Sequence, residues 1–226
     1  DFDTLKVQTS TDFTSAGTTI SGVEQLTLEL GATATMTFAQ MADFTAITIP
    51  GGGSTETLNL TTPVTTGTST DLHGLTFSNW ENGTDVINVT GGTGDDSITG
   101  STQSDTINGG DGDDLLIGKQ GDDSLTGGVG SEDTASYQYD PAAVTVDLNG
   151  GTATDGWGGS DTLSGIEKVL GSDYGDDLDG GAGNDIFYGR GGADTIDTAQ
   201  GSNFVWGGAG ADTINLTAMV GDTLHY

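Results

Sequence analysis

The feature that most restricts the fold is a nine-residue register between residues 91 and 126. Read in nines, the units are Gly91–Thr99 (GGTGDDSIT), Gly100–Asn108 (GSTQSDTIN), Gly109–Ile117 (GGDGDDLLI) and Gly118–Thr126 (GKQGDDSLT). Each has Asp at its sixth position and an aliphatic residue at its eighth: Asp96 with Ile98, Asp105 with Ile107, Asp114 with Leu116, Asp123 with Leu125. Glycines at the first, second and fourth positions permit tight turns and positive φ, and they leave backbone carbonyls uncovered. A carboxylate beside bare carbonyls is an all-oxygen donor set. It suits a hard cation, and a flexible loop favours calcium over magnesium. The last three residues of a unit read as a short strand whose middle side chain points inward. A Gly/Asp linker is the alternative for such a composition, but a linker has no reason to keep Asp and an aliphatic side chain in step through four units.

The register frays after residue 126. Gly127-Gly-Val-Gly130 is intact, but the residues after it carry one too many, so Glu132 and Asp133 compete for the sixth position. It resumes at 171 with Gly171–Asp179, Gly180–Tyr188, Gly189–Asp197, Thr198–Trp206 and Gly207–Asn215. Their inward series is Leu178, Phe187, Ile196, Val205 and Ile214, and their sixth positions are Asp176, Asp185, Asp194, Asn203 and Asp212. Asp222, in Gly-Asp-Thr-Leu, starts a sixth unit. Upstream, Thr84-Asp-Val-Ile-Asn88 reads as the second half of a repeat and begins the roll with Asp85.

The units at 91 and 109 fit G-G-x-G-x-D-x-U-x at every fixed position, the calcium-binding β-helix repeat of RTX proteins. The chain therefore resembles the RTX, or haemolysin-type calcium-binding, family over residues 82 to 226, and only weakly before that. The resemblance implies an all-β, right-handed parallel β-roll in which two nines make one coil, so that units alternate between two edges. It also implies several calcium ions, each held between loops two units apart. That pairs Asp96 with Asp114, Asp105 with Asp123, Asp85 with Asp105, and Asp114 with Glu132 or Asp133. Asp176, Asp194 and Asp212 share an edge, while Asp185 faces Asn203, whose neutral amide makes a weaker site. Loop carbonyls would come from around Gly92, Gly94, Gly110, Gly112, Gly121, Gly128 and Gly130 in the first block. In the second they would come from around Gly181, Gly183, Gly192, Gly208 and Gly210.

Composition agrees with a thin core. Of 226 residues, 32% are hydrophobic and 40 are Gly, which fits a solenoid better than a large globule. The net charge of −30 sets 34 acidic residues against four basic ones. Such a chain repels nucleic acid and anionic membrane. It is also expected to need cations before its carboxylates can pack, which ties folding to metal. There is no Cys, and no apolar run approaches a membrane span. The chain opens at Asp1 without Met and is expected to be a piece of something longer.

Four segments are expected: 1–81, a Thr-rich β-solenoid without the calcium motif; 82–135, the first roll block; 136–170, an insertion; and 171–226, the second block. In the first, Leu26, Leu28 and Leu30 alternate with polar residues, as do Met36 and Phe38, Ile47 and Ile49, and Leu58 and Leu60. A small β-sandwich is the alternative there. Turns are expected at Pro50–Gly53 and Thr62-Pro63, and a helical turn over 39–44. In the insertion, Ala143–Leu148 reads as a strand and Asn149-Gly-Gly151 as a turn. A looped-out hairpin and a strand pair covering the roll both fit. Ile186, Tyr188, Phe204 and Trp206 are apolar at outward positions and lie one coil apart, so they should stack as one patch. Either the insertion covers them, or they dock another copy or a neighbouring domain.

Catalytic patterns are missing: two His (His73 and His225) without H-E-x-x-H, no G-x-S-x-G, no phosphate-binding loop. No enzyme activity is expected. The resemblance implies a calcium-binding structural module of a secreted or surface-attached Gram-negative protein, such as an adhesin, surface-layer subunit or fibre, exported by a type I system. The alternative is the C-terminal module of an RTX enzyme or toxin whose active domain lies elsewhere.

Overall fold

The computed structural model describes residues 3–14, 20–41, 44–49, 54–61, 69–216 and 221–225. Among them the backbone winds as a flattened β-solenoid of short strands, with one helical turn at Phe38–Met41. A twelve-stranded sheet forms one side. A four-stranded sheet followed by an eight-stranded sheet forms the other.

Within the repeats, parallel neighbours lie two units apart. Ile98 sits beside Leu116, Ile107 beside Leu125, Leu178 beside Ile196, and Phe187 beside Val205. Only the eighth side chain of each unit points in, so the core is a single-file column on each sheet. Ile98, Ile107, Leu116, Leu178, Phe187, Ile196 and Val205 are all fully buried. Burial of each such side chain contributes roughly 1.5–3 kcal/mol, realised only when the neighbouring coil is in place. Ile214, close to the end of the column, is half-buried.

The Thr-rich segment joins the same solenoid with longer coils. Thr4 pairs with Gln25, Gln25 with Ala46 and Ala46 with Thr76, all in parallel strands. The parallel pairing excludes the sandwich. Strands Thr33–Thr37, Thr57–Thr61 and Val86–Thr90 are five residues long and each bury two side chains: Ala34 and Met36, Leu58 and Leu60, Ile87 and Val89. Leu26, Leu28, Ile47 and Ile49 are buried as their alternation predicts, but Leu30 is 55% exposed at a turn and Phe38 opens the helical turn. The expected turns at 50–53 and 62–63 lie outside the described residues.

The insertion forms the expected hairpin, but the hairpin neither loops out nor covers the roll. Strands Thr145–Asp147 and Thr152–Thr154 form an antiparallel hairpin around Asn149–Gly151. That hairpin is spliced into the twelve-stranded sheet: Thr152–Thr154 pairs antiparallel with Ser160–Ser164, and Thr145–Asp147 pairs parallel with Asp177–Asp179. Val146, buried completely, extends the inner column between Ala153 and Leu178. The hairpin is built of the same alternating β-pattern as the coils, so its unpaired edges find better partners in the sheet than above it.

The hairpin does not cover the apolar patch, which belongs to the opposite, eight-stranded sheet; Lys168, at the end of the insertion, sets its ammonium 5.6 Å from the Tyr188 ring centroid. Leu170, Tyr188, Trp206 and His225 stand in register across adjacent strands, beside Ile186 and Phe204. Tyr188 and Trp206 stack at 6.4 Å between centroids, and Trp206 and His225 at 5.8 Å with 14° between planes. Trp206 is 43% exposed.

Candidate metal sites on the two edges

The coil geometry stacks the sixth-position residues into two columns. One runs Asp96, Asp114, Asp133, Glu167, Asp185, Asn203, Asp222. The other runs Asp105, Asp123, Asp161 and, beyond the hairpin, Asp176, Asp194, Asp212. Along most of each column, one side-chain oxygen accepts the backbone N–H of the residue in the coil before, while Asp176 takes the Val144 N–H of the hairpin. Asp114 Oδ1 takes Asp96 N–H at 2.7 Å, Asp133 Oδ1 takes Asp114 N–H at 2.8 Å, and Asp123 Oδ1 takes Asp105 N–H at 2.8 Å. Asp194 and Asp212 repeat this with Asp176 and Asp194, at 2.9 and 3.1 Å, and Asn203 with Asp185 at 2.8 Å. These bonds fix each carboxyl and lock its coil to the next.

The second oxygen has two fates, and the backbone of the unit's second residue decides between them. At 91, 100, 171 and 180 that residue turns its N–H inward. Gly92 donates to Asp96, Ser101 to Asp105, Ser172 to Asp176 and Gly181 to Asp185, at 2.7–2.8 Å. At 109, 118 and 189 the residue adopts positive φ: Gly110 +115°, Lys119 +79°, Arg190 +76°. Its N–H is then lost to the carboxylate, and Oδ2 of Asp114, Asp123 and Asp194 is buried with no donor. A buried carboxylate oxygen left bare carries the full cost of its desolvation. Burial pushes the Asp123 carboxyl up to about 9, with Asp105 beside it adding to the shift, and Asp194 up to about 6.

Glycine keeps these oxygens facing backbone oxygens. A Cβ on Gly109 would strike Asp114 Oδ2 and come within 2.6 Å of the Gly127 carbonyl. On Gly189 it would strike Asp194 Oδ2 and approach the Gly207 carbonyl at 2.5 Å. Carboxylate and carbonyl oxygens turned toward one another without a hydrogen between them form the donor set of a hard cation, and the residues present fit calcium. Among the described residues no three acidic or imidazole side chains converge as a metal cluster. Each candidate site must draw on loop carbonyls as well as carboxylates.

Most of the expected residues fall in these columns, with two corrections. Asp85 does not stand opposite Asp105. Asp105 pairs with Ile87, and Asp85 lies one pleat earlier, level with Glu56, whose N–H it accepts at 3.1 Å. The cause is the five-residue strand Val86–Thr90, which belongs to the N-terminal coil type. Asp133, not Glu132, faces Asp114; the extra residue turns Glu132 outward, 3.9 Å from Lys168. Asn203 does more than supply a neutral oxygen: its Nδ2 donates to the carbonyls of Thr198 and Gln200, each at 3.1 Å. Gly94, Gly112, Gly121, Gly128, Gly192, Gly208 and Gly210 take positive φ in their loops, whereas Gly130 and Gly183 do not. Asp222 accepts the Asn203 N–H at 2.8 Å, placing it next in that column. Asp161, which the sequence shows as part of a returning half-repeat, and Glu167 join the columns without being among the expected ligands. Gly156-Trp-Gly-Gly-Ser-Asp161-Thr-Leu163 has the nonapeptide spacing, but the hairpin sets it 38 residues beyond Asp123 in the column instead of 18.

The model of the RTX calcium-binding nonapeptide repeat (four copies) matches residues 90–125, 170–205 and 199–218. No curated protein matches the chain.

Proposed function

Because this chain is an RTX-type calcium-binding repeat protein, we infer that it serves as a structural module of a larger secreted or cell-surface bacterial protein, one that folds and stiffens when it meets extracellular calcium. The observation that carries this is the set of bare, buried oxygens on Asp114, Asp123 and Asp194, held in glycine cradles by the solenoid itself. Without a cation the coils bring carboxylates together at a net charge of −30. With calcium the same contacts become coordination. Where calcium is scarce the chain stays unfolded, and where it is plentiful mass action drives it to the folded state.

A solenoid of this kind supplies length and stiffness, and calcium binding entails no turnover. Among the described residues no helix is long and apolar enough to cross a membrane. The aromatic ladder of Tyr188, Trp206 and His225 offers a face for a second copy or a neighbouring module, because an exposed apolar row of this kind is a contact surface. Calcium titration followed by circular dichroism, with light scattering on the same samples, tests both parts. Expected are a coil-to-β transition and a rise in mass that Trp206→Ala abolishes. A chain already folded in chelator, with no response to calcium, would sink the metal-coupled role. A folded monomer at all concentrations would remove the self-association.

A further inference from the structure

The segment between the two blocks holds a carboxylate that the repeat does not explain. Asp155 follows strand Thr152–Thr154 and is 3% exposed. Its Oδ1 accepts the N–H groups of Trp157 at 3.0 Å and Gly159 at 2.5 Å, which holds the carboxyl in place. Its Oδ2 is buried and has no donor. A Cβ on Gly159 would strike the carbonyl oxygen of Gly121 and meet Asp155 Oδ2 at 3.0 Å. Those two oxygens therefore flank one point, between the 118–123 loop and the end of the hairpin.

The surroundings add negative charge, of which the Tyr137 hydroxyl meets one oxygen of Asp161 at 3.2 Å. Asp123, with its own bare Oδ2, and Asp161, 1% exposed, belong to the loops stacked there. Asp140, 7% exposed, is tied to the same turn by the Gly156 N–H at 2.8 Å. Lys119, the basic residue of this stretch, sets its ammonium 4.5 Å over the Tyr139 ring. We propose that a calcium ion binds between Asp155 Oδ2 and the Gly121 carbonyl, with Asp123 close by, and fastens the inserted hairpin to the first repeat block. Asp155 lies outside the sixth-position column, so this ligand is additional to the pairing of the repeats. The donors are all oxygen, which suits a hard cation such as the calcium the repeats take. The site rests on the calcium-binding role inferred above.

Calorimetric calcium titration of the full chain, run beside terbium luminescence excited through tryptophan, tests it. Wild type should take up one more ion than Asp155→Asn. Asp177→Asn, which removes the same charge from an exposed outward position, should keep the wild-type count. Terbium luminescence should drop in Trp157→Phe, because Trp157 lies two residues from Asp155 and bonds its Oδ1 through the backbone N–H. An Asp155→Asn chain with the wild-type count overturns the site, and so does undiminished luminescence in Trp157→Phe. The luminescence arm decides even if Asp155→Asn fails to fold. A wild-type chain that binds no calcium overturns the calcium-binding role itself, and this site with it.

Discussion

A single amide distinguishes one loop from its neighbours. Asn203 stands where other units have Asp, and its Nδ2 bonds the Thr198 and Gln200 carbonyls that a cation would otherwise take. The side chain acts as an internal substitute for the ion. Asn203→Asp should reverse this. In chelator at about pH 5, where the calcium-free chain keeps its β-structure, the two Nδ2 bonds are lost and the melting temperature should fall; in calcium the chain should bind one more ion and melt higher than wild type. Calorimetry and thermal melts in the two conditions check the change of sign. The sixth-position Asp residues and the weakness at Asn203 were legible from the nine-residue spacing. The split between bare and satisfied carboxylates was not, because it depends on the φ of the second residue. Lys119 and Arg190 share the left-handed conformation of Gly110, although their side chains disfavour it.

At the scale of elements, strand length sets what lines up with what. Three-residue strands place the sixth residue of each unit at the edge; five-residue strands bury one more pleat. That is why Asp85 falls level with Glu56 rather than Asp105, a shift the local sequence around Val86 could not disclose. The hairpin was legible as a strand and a turn, yet its place in the sheet was not, because register between distant strands is settled by pairing. Val146 is where that pairing matters most, being fully buried between Ala153 and Leu178. Val146→Asp buries an uncompensated charge, at a cost on the order of 3–5 kcal/mol. Denaturant unfolding in calcium should then separate into two transitions, one for each block, where wild type gives one.

Over the whole molecule, acidity and calcium should act alike. With no cation present, burial raises the carboxyls of Asp105 and Asp161 to about 7, Asp123 to about 9, and Asp140 and Asp194 to about 6. A carboxyl whose folded pKa is raised contributes its stability fully below the unfolded value of about 4, and loses it as pH rises through the folded value. The calcium-free chain should therefore hold its β-structure at pH 4–5 and lose it between pH 6 and 9. Calcium should raise the melting temperature most at the alkaline end of that window. Melts followed by circular dichroism across pH, with and without calcium, check it; a calcium-free chain most stable at pH 8 would contradict it. One consequence concerns shape. The hairpin gives its side of the roll two strands between Ser160–Ser164 and Asp177–Asp179, where the opposite sheet pairs Lys168–Leu170 directly with Ile186–Gly191. At roughly 5 Å per strand, and with sheets about 10 Å apart, that side is longer by about 10 Å at this point. A side longer by two strands should turn the axis there, as a wall turns at a keystone. The Tyr188–Trp206 ladder sits on the shorter flank, so whatever meets it approaches the inside of an arc, and a filament of such modules would coil rather than run straight.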